Sequence, residues 1–180
     1  MRANLKKISL VLALVLSVIT LASCAKAPET PSDYKLASDL DYVDYYLFVP
    51  SSWTVNESSA MTSAYVSEDD KTSVSVIQRD RKSNEDATPE YWYENYYIPS
   101  LRSELGDKLV EKSNEEASLD GVYARKYYLD ITMNGITYNY IVVCALTNAS
   151  FYCVTYTSVG ALYEKNLDTF NDILTKFKFD

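Results

Sequence analysis

The chain has 180 residues, with 25 acidic side chains against 17 basic ones and a net charge of −8. Such a surface repels nucleic acid and anionic lipid headgroups. Histidine is absent, which removes the usual proton shuttle near neutral pH and the commonest metal ligand. Tyrosine is over-used, 17 in 180. It is a residue that covers a sheet face while its hydroxyl stays wet.

Arg2, Lys6 and Lys7 precede an apolar stretch from Ile8 to Ala22. That stretch is too short to span a bilayer comfortably as an ordinary helix. A basic start, a short apolar run and small residues after it form a signal-peptide pattern. Leu21-Ala22-Ser23-Cys24 resembles the lipobox of bacterial lipoproteins. That resemblance implies a leader over residues 1–23, cleavage before Cys24 and a diacylglycerol thioether on its sulfur. The mature chain would then sit on the extracytoplasmic face of a bacterial cell membrane. Two or three acyl chains, such as palmitate, exceed the marginal hold of a single chain. A plain signal peptide cut near Ala22, with Cys24 incidental, is the alternative. Removing the leader removes Arg2, Lys6 and Lys7 and no acid, so the net charge moves from −8 to −11. The remaining length, Cys24 to Asp180, suits one domain with a real core. Residues 24–40 are expected as a lipidated flexible tether, with two prolines in AKAPETPSD (25–33), and residues 41–180 as a single domain.

Within the domain, Tyr45 to Val49 alternates as a strand, Pro50 stops it, and Trp53 returns to the core. Met61–Val66 and Thr72–Gln78 read as two further strands around the polar turn at 68–71. Residues 80–87 read as a loop. Thr88 and Pro89 then make a helix start, with Thr as N-cap and Pro in the first turn. This helix runs toward Leu105, where Gly106 terminates it, and Pro99 is expected to kink or split it. Lys108–Leu119 reads as an exposed strand. Asp120-Gly121 and Asn134-Gly135 are type I′ turn signals that fold Val122–Met133 against Ile136–Leu146, and Phe151–Thr157 returns.

The turns set a register. Met133 should face Ile136, Tyr128 should face Ile141, and Cys144 should face Cys153. One sheet face then carries Tyr127, Leu129, Ile131, Tyr138, Tyr140, Val142 and Cys144. The other carries Ala124, Tyr128, Ile141, Val143, Ala145, Tyr152, Val154 and Tyr156. Both faces are largely apolar, so both should be covered. A last helix over about Ala161–Lys176 aligns Tyr163, Leu167, Phe170 and Leu174, extended by Ile173 and Phe177, with Asp168 and Asp172 on the wet side. Phe177 to Phe179 alternates as a short edge strand. The 41–79 strands are expected to join the 122–157 meander in one sheet.

Phe48-Val49-Pro50-Ser51-Ser52-Trp53, followed by a hairpin, a helix, a meander and a last helix ending Phe170-x-x-Ile173-x-x-x-Phe177-x-Phe179, resembles the PsbP-like superfamily. That superfamily includes an extrinsic protein of the photosynthetic oxygen-evolving complex, the Mog1-type nuclear transport factor and many bacterial lipoproteins. The resemblance covers about Tyr42 to Asp180. It implies an α+β fold, an α/β/α sandwich with a mostly antiparallel twisted sheet and a central and a C-terminal helix packed on it. It supplies no active site. The histidine contacts of the photosynthetic members have no counterpart here.

Three groups remain as candidate sites. Cys144 and Cys153 could form a disulfide, which an extracytoplasmic compartment permits; two buried free thiols are the alternative. Glu68-Asp69-Asp70 lacks the spaced ligands of a calcium loop and reads as a solvated hairpin tip, so no metal or cofactor is expected. Tyr91, Trp92, Tyr93, Tyr96 and Tyr97 crowd one helix. Trp92 and Tyr96 are expected on the sheet, with Tyr93 and Tyr97 pointing elsewhere as a surplus for a protein partner or a glycan. Asp41–Tyr46 is a second tyrosine-rich stretch that could join that surface. Simple filling of the helix–sheet interface is the alternative. No Gly-x-Ser-x-Gly is present and no histidine can activate a serine. The expected function is therefore a membrane-anchored, non-catalytic binding or assembly module with an envelope protein as partner. A cell-envelope hydrolase, for which a lysine-activated serine would be needed, and a glycan-binding surface protein are the alternatives.

Overall fold

The computed structural model describes residues 27–56, 61–81 and 88–180. Ordered pairing begins earlier than residue 41. Strand β1 (Tyr34–Leu36) lies antiparallel to β3 (Phe48–Pro50), with Lys35 opposite Val49. The expected 24–40 tether therefore ends before β1, because Tyr34 has somewhere to pack: its hydroxyl donates to Asp172 on the last helix. The expected strand over Tyr45–Val49 is divided in two. Strand β2 (Tyr45–Tyr46) pairs with the C-terminal β11 (Lys178–Phe179), whereas β3 pairs with β1. Leu47 is the switch point. Its N–H donates to Ser38 Oγ at 2.7 Å and its carbonyl accepts from Ala37 N–H at 2.8 Å. A change of partner, rather than a breaker residue, interrupts the strand.

After Trp53 the chain enters the main sheet through β4 (Thr54–Asn56), β5 (Thr62–Tyr65) and β6 (Ser73–Asp80). It then crosses one face as helical pieces and returns as β7 (Leu109–Leu119), β8 (Val122–Met133), β9 (Ile136–Leu146) and β10 (Ser150–Val159). These seven strands form one sheet in the order β4-β5-β6-β10-β9-β8-β7, antiparallel at every junction. Of the early strands, β4, β5 and β6 join the meander, and β2 and β3 do not. The turns act as their residues require. Asp120 and Gly121 have φ of 48° and 77°, and Asn134 and Gly135 have 53° and 78°. Two successive positive values are what a type I′ turn needs. Met133 consequently faces Ile136, Tyr128 faces Ile141 and Cys144 faces Cys153.

The register sorts the side chains onto two faces, and each has its own core. Helix α3 (Ala161–Lys176) lays Phe170 and Ile173, with Phe177 just beyond, over Ile141, Val143, Val154 and Tyr156, and β2 and β3 add Tyr45, Leu47 and Val49. Phe170 stacks on Tyr156 with ring centroids 4.8 Å apart. Burial of each such side chain contributes about 1.5–3 kcal/mol. The opposite face is closed by α1 (Pro89–Trp92), a π-helical turn (Tyr93–Tyr97) and α2 (Ile98–Leu105). Thr88 caps α1 by accepting from Tyr91 N–H at 3.2 Å. Pro99 has no N–H to give, and the helix meets this with a wide turn in which Ile98 N–H reaches back to Tyr93 O. The protein is thus an α+β sandwich, with a wholly antiparallel main sheet between helical layers.

Candidate functional site

An open groove of about 1160 Å³ lies where the N-terminal segment folds over the β4–β5 end of the sheet. Asp39 shapes its outer wall. The Asp39 carbonyl accepts from Tyr42 N–H at 3.0 Å and Val43 N–H at 3.2 Å, and its Oδ1 accepts from Asp41 N–H at 3.2 Å. The floor includes Tyr45, Val55 and Val76, with Tyr45 hydroxyl held by Thr62 Oγ1 at 2.7 Å. Ten large hydrophobic side chains are exposed among the described residues, and four of them, Leu36, Leu40, Tyr42 and Met61, line this one groove. Tyr42 is 74% exposed. Asp39, Asp41 and Asp80 lie along the same walls, against Lys35 as the one base among the lining residues. The groove therefore presents apolar surface under a negative potential. Its own serine, Ser38, is buried and occupied by the Leu47 N–H. Ser38 is the only serine among the described residues that line the groove.

The aromatic group on the central helix is arranged differently from the expectation. Trp92 and Tyr93 are both buried on the sheet, and Tyr96 is exposed. Trp92 stacks on Phe151 at 5.4 Å and Tyr93 stacks on Tyr127 at 3.5 Å. The π-helical turn widens the helix by an extra residue per turn, which swings Tyr96 outward. It also brings Tyr97 back beside Tyr93, with ring centroids 5.7 Å apart. Burial pushes the Tyr93 and Tyr97 hydroxyls well above the ordinary phenol range. The charge and hydrogen bond of Glu111 add to this at Tyr93, and the Cys153 sulfur adds at Tyr97. Most of the set thus fills the interface. What remains outside is a small shelf of Tyr91 and Tyr96, with Tyr96 4.5 Å from the Trp92 ring.

Cys144 and Cys153 lie directly opposite each other under the central helix, fully buried as thiols with Sγ atoms 2.8 Å apart. Burial, then the Cys153 sulfur, pushes the Cys144 thiol up, so it is neutral and unreactive in the folded state. Cys24 lies outside the described residues. Among the described residues no helix is long and apolar enough to cross a membrane, and no cluster of three or more potential ligands could hold a metal ion.

One acid of the 68–70 turn is not solvated as expected. Glu68 is, and pairs with Lys71 at 2.6 Å. Asp70 is buried, accepting from Thr72 N–H at 3.0 Å, Asn166 Nδ2 at 3.1 Å and Lys165 Nζ at 3.3 Å. It ties the β5–β6 turn to α3, with Thr72 Oγ1 and Ser158 Oγ 2.6 Å apart alongside. Burial alone would raise the Asp70 pKa. The hydrogen bonds of Thr72, Asn166 and Lys165 outweigh it and hold the carboxyl below the ordinary range. The signal was local: Ser67 Oγ accepts from Asp70 N–H, and Asp70 caps Thr72 two residues on, an Asx turn. Asp172, expected on the wet side of α3, is half-buried by Tyr34 and Lys176.

A seven-stranded antiparallel sheet held between a central helix and a C-terminal helix, with small ladders at its N-terminal side, defines a Mog1/PsbP-type fold. No family model and no curated protein matches the sequence. Among solved structures the chain is similar to the cyanobacterial PsbP, CyanoP, of Synechocystis, with a TM-score of 0.62 at 13% identity over 89% of this chain and 99% of that one. It is similar to LpqN of Mycobacterium tuberculosis, described as involved in cell envelope biogenesis, with a TM-score of 0.54 at 18% identity over 74% and 82%. It is also similar to the Ran-binding protein Mog1p of Saccharomyces cerevisiae, with a TM-score of 0.54 at 10% identity over 81% and 95%. Identities this low carry the fold and not the activity.

Proposed function

We propose that the chain is a lipid-anchored, extracytoplasmic binding module, without catalytic activity, that holds a segment of an envelope protein in the groove beside β1. The observation that carries this reading is the concentration of exposed Leu36, Leu40, Tyr42 and Met61 in one acid-walled groove. Apolar surface gathered in a concavity marks a recognition site better than the same residues scattered. The acids select a basic, apolar segment by charge complementarity. The lipobox-like Leu21-Ala22-Ser23-Cys24 supports anchoring through Cys24. About ten residues would separate Cys24 from β1, a reach of at most roughly 35 Å, which keeps the groove close to the membrane.

A photo-reactive amino acid at Tyr42 of the full-length protein, in cells, tests the site. It should give a discrete adduct with one envelope protein, and the same probe at exposed Ser103 on α2 should not. Equal, diffuse labelling from both positions would refute the groove.

The Tyr91–Tyr96 shelf supports a second reading, a glycan platform, because exposed rings beside a stacked indole are the surface sugars pack on. Loss of binding to isolated cell-wall glycan in a Tyr91→Ala/Tyr96→Ala variant would favour it.

A further inference from the structure

We infer that Cys144 and Cys153 are a structural disulfide in the mature protein, closed before the central helix docks and sealed beneath it afterwards. The two residues occupy directly paired positions of antiparallel β9 and β10. Cross-strand partners have Cα atoms about 4.5–5.5 Å apart, inside the range of about 4.4–6.8 Å that a disulfide spans. Their side chains share one face and the sulfurs meet with no atom between them. The sulfurs, 2.8 Å apart, have less than about 1 Å to close to reach the roughly 2.05 Å of a disulfide, and both strands are anchored on their outer sides as well, β9 by β8 and β10 by β6.

The surroundings set the order of events. Both sulfurs are fully buried in the core formed with Trp92, Tyr93, Ile98 and Phe151. A neutral thiol beneath a helix offers neither the thiolate nor the access that exchange requires. The hairpin is local, its two cysteines only nine residues apart, so it can pair while α1 and α2 are still loose. At that stage the two thiols meet an envelope thiol oxidoreductase in its disulfide form. The Cys144 thiolate attacks the oxidant's disulfide and the Cys153 thiolate then displaces the oxidant. One S–S bond forms here and one breaks there, and two electrons and two protons pass to the oxidant, which leaves as a dithiol. Docking of Trp92 and Tyr93 closes the face. A buried bond of this kind has no role in redox catalysis. It fixes the β9–β10 register on which the central helix sits.

The inference rests on the extracytoplasmic reading only for its oxidant, so the experiment has two arms. In the first, the full-length protein is exported in cells and denatured in an alkylating agent without reductant. The peptide spanning Tyr127–Lys165 should then carry no alkyl group and weigh two hydrogens less than its reduced form. Alkylation of both cysteines in an exported chain would overturn the inference and leave localisation untouched. In the second, the purified full chain is reduced, unfolded and refolded in a glutathione redox buffer. The same peptide should become resistant to alkylation, and the folded product should resist reductant until it is unfolded. Two alkylated cysteines after refolding would overturn the inference wherever the protein resides. A chain that stays in the cytoplasm would sink the localisation instead, and the refolding arm still decides the bond. A Cys144→Ala/Cys153→Ala chain serves as the control in which neither treatment changes the mass.

Discussion

Replacing Asp70 by Asn keeps the side chain's shape and removes its charge. The change is informative because the carboxylate is buried and its partners belong to separate elements: Thr72 beside β6, and Lys165 and Asn166 on α3. The substituted amide can still accept from Thr72 N–H, but its nitrogen would face the Asn166 donor. The charge-assisted bond to Asn166 is lost and a buried donor is left unmatched, at about 2–4 kcal/mol. The Lys165 pair adds little, because Lys165 is mostly exposed. For a domain of this size about 3 °C of Tm accompanies each kcal/mol, so the midpoint should fall by roughly 6–12 °C. The pH dependence separates this account from a generic defect. The Asp70 pKa is lowered on folding. Its stabilisation is therefore present above the unfolded carboxyl value of about 3.9 and lost as pH falls through the folded value. Thermal unfolding followed by circular dichroism should show the variant well below the native chain at neutral pH, with the gap narrowing as pH falls below the unfolded carboxyl value. A neutral-pH difference under about 0.5 kcal/mol, or one that stays constant into acid, would refute the network.

Other consequences follow from the proposed anchor and from the geometry of the fold. Cys24→Ser should move the protein from the membrane fraction into the soluble periplasm or medium, and unchanged membrane recovery would remove the anchor. Phe170 is a fully buried ring stacked on Tyr156. Phe170→Ala should cost about 3–5 kcal/mol in chemical denaturation, whereas Tyr42→Ala should stay within about 0.5 kcal/mol. Gly135 has a φ of +78°, and nothing lies within 4 Å of a carbon added there. Gly135→Ala should still cost about 1 kcal/mol or more, because the strain is in the backbone and not in a clash. Tyr152 and Tyr156 are both pushed up to about 12, first by burial, with the Asp44 hydrogen bond adding at Tyr152. A raised phenol pKa stabilises the fold below the unfolded value near about 10 and withdraws that stability as pH climbs through the folded one. An absorbance titration should accordingly show these tyrosines ionising late, together with alkaline unfolding.

The meander was legible because its turn chemistry is local. Asn134-Gly135 and Asp120-Gly121 each accept one backbone solution, and a strand's period of two then places Cys144, Tyr128 and Tyr156 on their faces without further information. The helix start at Thr88-Pro89 and the apolar stripe of α3 were legible for the same reason. What escaped depends on partners distant in sequence. The break at Leu47 exists because β11 and β1, on opposite sides in sequence, claim adjacent residues. Pro99 announced a disturbance, but its form, a π-helical turn, decided which of Tyr93 and Tyr96 was buried, and a regular 3.6-residue period gave the opposite assignment.

The candidate site was the least legible part. Tyr42 stands in the sequence only as a member of a tyrosine-rich stretch, and Leu36, Leu40 and Met61 carry no pattern that links them. Residues 35–45 meet Val55, Asn56, Met61 and Thr62 through the pairing of β1 with β3, a contact between segments distant in sequence. Asp70 shows the converse. Charge placed it on the surface, and three hydrogen bonds compensate its burial.

Partner recovery from cells compares the two surfaces directly. Full-length protein carrying the Tyr42 photocrosslinker should lose its adduct when Leu40→Asp and Met61→Asp place charge on the groove walls. It should keep the adduct at native yield in a Tyr91→Ala/Tyr96→Ala background, with both variants folded by circular dichroism. An adduct that survives the groove substitutions and disappears with the tyrosine shelf would contradict the account.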